Sequence, residues 1–203
     1  MTTGGKSTLA RLVFLSAAEP RYIIDPQASD ITAVPGAVTF ADPYRMPEAG
    51  TVRFVPPDPA DLDAYNEVYR RIRDRVLRAV HDGRLADAHA YIWNDEAGWS
   101  KPAERPPRWG RAITIAGAKL MIGEINIHVR VRGVERSCVS QARHIGIWPP
   151  IGLEEDLKYL AGTAGLPQAE LEEQLGRCEP HGFVWVTRDA GVNHYRVCEP
   201  VAA

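Results

Sequence analysis

Cysteine is scarce in the 203-residue chain, and the three present, Cys138, Cys178 and Cys198, stand far apart in no CxxC or Cys/His spacing. That count and spacing exclude a disulfide framework and a zinc knuckle; free thiols, mostly interior, are expected. Lysine is scarce too: 4 Lys stand beside 20 Arg, and with 16 Pro this usage fits a GC-rich genome better than a function. A single arginine therefore carries little weight on its own. Excess charge is also missing, since the formal net charge is −2, which gives no support to a polybasic mode of nucleic-acid binding. No apolar run approaches the ~18 residues that a membrane helix needs, and the N-terminus lacks the charged-then-apolar layout of a signal peptide. A cytoplasmic protein with no membrane partner is expected.

What is present is a 45% hydrophobic, 25% charged chain, the composition of one compact domain spanning 1–203. Its charge is unevenly spread. Residues 1–69 carry 5 basic and 9 acidic residues, 70–143 carry 15 and 8, and 144–203 carry 4 and 9. The central basic zone is a candidate contact for a polyanion, or equally a solvated charged face.

Patterning predicts a helix over 6–18, a strand at 21–25 between Pro20 and Pro26, and a second strand at 51–55 ended by Pro56 and Pro57. Apolar residues at Tyr65, Val68, Tyr69, Ile72, Val76 and Val80 predict a long amphipathic helix within 58–82, with Arg71, Arg75 and Arg78 on its other face. A strand at 88–94 runs into Asp95 and Glu96, and a helix at 109–122 follows a Pro-rich loop. Residues 124–132 alternate strictly, with Ile125, Ile127, Val129 and Val131 on one face, which predicts a half-polar strand. A strand at 142–148, helices at 152–165 and 167–177, and strands at 182–187 and 193–201 complete the reading. Strands that alternate with helices predict an α/β core with a mostly parallel sheet, closed by a C-terminal hairpin around Asp189-Ala190-Gly191.

The run Gly4-Gly5-Lys6-Ser7-Thr8 leads straight into the first helical pattern. A glycine-rich turn that feeds a helix N-terminus cradles phosphate, and this run is the end of a Walker A motif. Backbone N–H groups would close on the β-phosphate of ATP, Lys6 would reach the β/γ oxygens, and the Ser7 hydroxyl would ligate Mg²⁺. The first glycine of GxxxxGK[ST] would fall one position before Met1, as would the strand that feeds the loop, so a P-loop core with its first strand missing from this sequence is expected. The alternative is a GKS tripeptide in a flexible terminus. Favouring the motif is Ala90-Tyr91-Ile92-Trp93-Asn94-Asp95-Glu96, an apolar strand that ends in two carboxylates like a Walker B motif. Asp95 would hold Mg²⁺ and Glu96 would polarise the attacking water. A polar turn at a strand end is the plain alternative.

Together GGKSTLARLV, YIIDP, YIWNDEAG, GRAITIAGAKLMIG, the SQARHI run and the ending AGLPQAELEEQLGRCEPHGFVWV resemble the FtsK/HerA-type branch of P-loop ATPases, over most of the chain. This branch includes DNA translocases and viral genome-packaging ATPases. The resemblance implies a RecA-like core and a homo-oligomeric ring, such as a hexamer, acting on double-stranded DNA, in the host cytoplasm if the protein is viral. Lys6 and Ser7 match the nucleotide contacts, Asp95 the magnesium carboxylate and Glu96 the catalytic glutamate. The family's Thr-Gln pair is absent, and His128-Val129-Arg130-Val131 stands in its place, leaving His128 or Asn126 as possible phosphate sensors. A trans-acting arginine finger is implied, with Arg136 and Arg130 as candidates and Arg143 a weaker one. Trp99 and Trp109, flanking a loop with Lys101, Arg105 and Arg108, form either a nucleic-acid contact or a surface turn.

Three functions fit. A ring ATPase that translocates double-stranded DNA, as in genome packaging, uses every motif. A nucleotide or nucleoside kinase shares Walker A but has no need of Asp-Glu at a strand end. A degenerate P-loop assembly subunit without catalysis would bind ATP·Mg²⁺ weakly.

Overall fold

A computed structural model describes residues 5–128, 130–189 and 192–201, the side chain of Val192 excepted. Five parallel strands form the main sheet, ordered β2 (Val38–Phe40), β3 (Thr51–Phe54), β1 (Arg21–Ile24), β4 (Ala90–Asn94) and β5 (Ile122–Asn126). Helices cover both faces, as parallel sheets require. On one face, the long helix α2 (Leu62–His81) buries Tyr65, Val68, Tyr69, Ile72 and Val76 against Tyr22, Ile24, Val52, Phe54 and Ile92. Its 3.6-residue apolar stripe is the cause, and the Asp61 side chain starts it by accepting from the N–H groups of Asp63 and Ala64 at 3.1 and 3.0 Å. On the opposite face, helix α1 (Lys6–Ser16) packs Ala10 and Phe14 against Ile23 and Trp93. Alternation along β1 thus feeds two cores, Tyr22 and Ile24 one way and Ile23 the other.

After β4 come two short helices' worth of connection: α3 (Ala97–Ser100) and then α4 (Arg108–Ala116), which packs on α2. Beyond β5 lie α5 (Ser137–Ser140) and a second, three-stranded antiparallel sheet of β6 (His144–Ile147), β7 (Phe183–Asp189) and β8 (Val192–Cys198). Helices α6 (Glu154–Ala164) and α7 (Gln168–Gly176) cover it through Leu157, Leu160, Leu171 and Leu175. The fold class is the expected one: α/β, a mostly parallel sheet and a C-terminal antiparallel hairpin. The strands form two sheets, not one. Ala190 and Gly191 of the hairpin turn lie outside the described residues.

Two elements end earlier than their patterns predict. The expected helix 109–122 stops at Ala116: the carbonyl of Gly117 accepts from the Leu120 and Ile122 N–H groups (3.0 and 2.8 Å) as the chain turns into β5, and a Cβ at Gly117 would stand 2.7 Å from the carbonyl oxygens of Ile113 and Ile122. The expected strand 124–132 begins at Ile122 and ends at Asn126. Beyond it the Ile127 N–H still reaches the Asn94 carbonyl (3.0 Å), but the Ile127 carbonyl accepts from Ala97 N–H (2.6 Å), in the turn where β4 has already ended. With no strand left to pair, the chain turns into a 3₁₀ segment, Val131–Gly133. Val129 lies outside the described residues.

Candidate functional site

Parallel sheets of this kind present ligand-binding loops at the carboxyl ends of their strands. Here β1 and β4 lie side by side and deliver Asp25 and Asp95 to the same edge, where the Asp95 N–H bonds to the Ile24 carbonyl (2.9 Å) and the Asp25 N–H to that of Phe54 (3.0 Å). Both carboxylates are buried. Asp25 is paired with Arg53, whose Nη2 stands 2.6 Å and Nε 3.1 Å from Oδ2, and it also accepts from Thr32 Oγ1 and from the N–H groups of Gln27 and Ser29.

Asp95 has less support. Oδ2 accepts from Ser29 Oγ at 3.4 Å, while Oδ1 is buried with no hydrogen-bond donor among the described residues. Burial, reinforced by the charges of Asp25 and Glu96, pushes its pKa up to about 6. A buried carboxylate oxygen without a donor suits a cation, so the residues fit the implied Mg²⁺. Glu96 follows in a left-handed backbone conformation (φ 50°, ψ 60°), and its Oε2 accepts from Gln27 Nε2 at 2.7 Å.

Lys6, Ser7 and Thr8 form the first turn of α1, whose leading N–H groups have no intrahelical acceptor by the geometry of any helix. Gly5 precedes them at φ 119°, and a Cβ there would stand 2.8 Å from Trp148 Nε1 and 3.3 Å from the His181 carbonyl, so glycine is required on two counts. Gly4 lies outside the described residues. The Lys6 ammonium is near enough to Glu96 to feel its charge; burial lowers its pKa and that carboxylate opposes the change. Lys6 also acts on His128, whose imidazole is held neutral, its pKa lowered to about 4 by burial first and Lys6 second. Residues about ninety positions apart in the chain are thus gathered in one electrostatic neighbourhood.

The remaining candidates are spread more widely. Asn126 Oδ1 accepts from Asn94 Nδ2 at 2.7 Å, and the side-chain Oδ1 of Asn94 accepts from Tyr69 OH at 2.7 Å, which commits Asn126 to a polar network under the sheet edge. Arg130 and Arg136 are exposed. Arg136 opens onto a cavity of about 880 Å³, lined also by Arg111, Arg132, Glu135, Glu155 and Lys158, that includes none of Lys6, Ser7, Asp95 or Glu96. Arg143 faces Asp189 at 3.6 Å.

Lys101 does not join a surface loop for nucleic acid. It is fully buried, paired with Glu124, and bonded to Thr114 Oγ1 at 2.7 Å. Trp99 is exposed, whereas Trp109 carries the guanidinium groups of Arg73 and Arg108 at 4.0 and 4.7 Å from its ring centre. The sequence reading missed Gln27, Ser29 and Arg53. A carboxylate ending a second strand at Asp25, as Asp95 ends the first, was the available signal.

No family model matches the chain, and no curated protein matches it by sequence. Solved structures do. The genome packaging NTPase B204 from Sulfolobus turreted icosahedral virus 2, in complex with ATP-gammaS, is 12% identical with a TM-score of 0.73, over 100% of both chains. Its complex with AMP is 15% identical, TM-score 0.68, again over 100% of both. The DNA-packaging ATPase B204 from Sulfolobus turreted icosahedral virus is 14% identical, TM-score 0.67, over 98% of this chain and 95% of that one. The chain shares its α/β fold with these packaging NTPases.

Proposed function

We propose that the chain is a nucleoside-triphosphate-hydrolysing motor that works as a homo-oligomeric ring, such as a hexamer, on double-stranded DNA, as in viral genome packaging. The observation that carries this reading is that Lys6, at the start of α1, lies close enough to feel the charge of Glu96, which follows the buried Asp95 at the carboxyl edge of the sheet. Lys6 counters the charge of the β- and γ-phosphates of ATP, and the N–H groups of the first turn of α1 hold their oxygens. Ser7 and Asp95 are the residues that would hold Mg²⁺, which when bound supplies charge neutralisation at the phosphates. Glu96 takes the proton of the attacking water at Oε1, the oxygen not engaged by Gln27. An arginine from a neighbouring subunit, Arg136 or Arg130, completes the site in the ring; both are exposed, as such a role needs.

The DNA partner is supported by the basic middle third of the sequence and by the packaging proteins that share the fold. The test is hydrolysis of ATP·Mg²⁺ with and without double-stranded DNA, with the oligomer sized in parallel. Lys6→Ala is expected to weaken nucleotide binding by about 10–100-fold, the worth of a charged hydrogen bond. Glu96→Gln is expected to keep binding and lower kcat by about 100-fold or more. Turnover only with an added phosphoryl acceptor would assign a kinase, and a wild-type chain that binds no nucleotide would assign a structural subunit.

A further inference from the structure

Glu96 stands in an unusual place for a group that must aim a proton acceptor. Its backbone is left-handed, between the end of β4 and the first turn of α3, so no regular element dictates the direction of its side chain. One described side chain does: Gln27, which donates from Nε2 to Glu96 Oε2 at 2.7 Å across 69 positions of sequence.

Gln27 is itself firmly mounted. The loop that carries it, residues 25–32, is tied to the buried Asp25 carboxylate through the N–H groups of Gln27 (3.2 Å) and Ser29 (2.9 Å) and through the Thr32 hydroxyl. Arg53 locks the same loop by bonding both Asp25 Oδ2 (2.6 Å) and the Ser29 carbonyl (2.9 Å). A second side chain of this loop, Ser29, reaches Asp95. One strapped loop therefore touches both strand-end carboxylates, each by a side chain that donates. An amide that occupies one oxygen of Glu96 leaves Oε1 as the acceptor and fixes the plane in which it lies.

Resting on the hydrolytic reading of the site, we infer that Gln27 is a positioning residue for Glu96, holding its carboxylate in the orientation that accepts the proton of the attacking water. The role depends on donation, which separates it from mere packing. Gln27 is exposed, so substitutions there leave the core intact.

Steady-state ATP hydrolysis by the full chain, with nucleotide binding measured in parallel, tests the inference. Gln27→Ala, and the isosteric Gln27→Glu that replaces the donor with an acceptor, should each lower kcat about tenfold while KM and nucleotide affinity stay within twofold. Gln27→Lys restores a donor of similar reach and should retain most of the wild-type kcat. Wild-type kcat in Gln27→Glu, a rise in kcat in Gln27→Ala, or equal losses in all three variants would overturn the inference. A wild-type chain that does not hydrolyse ATP, or a Glu96→Gln variant as fast as wild type, would instead overturn the hydrolytic reading, and the role of Gln27 with it.

Discussion

His128 sits just past the last residues that β5 shares with β4, on the side of the sheet edge that holds Lys6. Burial and the nearby ammonium favour its neutral form, so its pKa of about 4 lies below the ordinary 6.5 of a free imidazole. A depressed histidine means that the unfolded chain binds the extra proton first. Its contribution is intact above pH 6.5 and is lost as pH falls toward 4. Between pH 6.5 and 5 the loss amounts to about 2 kcal/mol. Denaturant unfolding of wild type and His128→Gln at pH 7 and pH 5 should show the variant losing less stability on acidification by about that amount; equal losses would remove His128 from the acid response. At this scale the sequence was informative where a function needs a local pattern. Gly5, Lys6, Asp95 and Glu96 are readable because a glycine before a helix and acids after an apolar strand have mechanical reasons to be there. Gln27 is not readable, because its partner is 69 residues away and a lone glutamine in a loop has no pattern.

Elements were legible in proportion to their length. Helix α2 announces itself through five turns of apolar spacing, while β2, with three residues that are mostly exposed, and α3 and α5, with four residues each, are too short to show a period. The end of β5 was hidden for another reason: alternation continues in the sequence after the neighbouring strand has stopped. Charge counts likewise miss pairing. Arg71 bonds Glu67 at 2.8 Å, and Arg75 is spent on the carbonyls of Glu48, Asp87 and His89, so the basic face of α2 is largely committed within the molecule. The same holds for Lys101, which joins α3, α4 and β5 by pairing with Glu124 beside Thr114 and lying 4.9 Å from the ring of Tyr69. Lys101→Met strands the buried Glu124 charge and is expected to cost about 3–5 kcal/mol in urea unfolding. Adding Glu124→Leu should recover most of that loss, because the partner no longer needs compensation. A single variant as stable as wild type would mean that the pair contributes little to joining these elements.

On the scale of the molecule, the α/β class followed from the alternation of strand and helix patterns, but the split into two sheets did not, since pairing partners are not written in local periodicity. Each sheet packs into cores of its own, the main sheet under α2 and α1 on its two faces and the second under α6 and α7. What joins them is polar as much as apolar. The Arg188 guanidinium, on β7, donates to the carbonyls of Val139, Ser140 and Ala142 at 3.2, 2.8 and 3.2 Å, and the Arg188 backbone N–H donates to the Arg143 carbonyl at 2.8 Å. Ile145 and Tyr159 pack on a small cluster of Ala97, Val134, Cys138 and Val139, in which Ala97 directly follows the acidic pair in the chain. Through that cluster the second sheet supports the turn that presents Asp95 and Glu96, so loss of either core should be felt by both. We therefore expect one cooperative unfolding unit across the chain. Leu171→Ala, a truncation in the core under α6 and α7, should lower stability by about 2–5 kcal/mol. Far-ultraviolet circular dichroism and tryptophan fluorescence, with Trp93 in the main sheet and Trp185 in the second, should then shift together in a single transition. Were the two signals to separate into distinct transitions, the chain would consist of two independent units and the acidic pair would owe nothing to the second sheet.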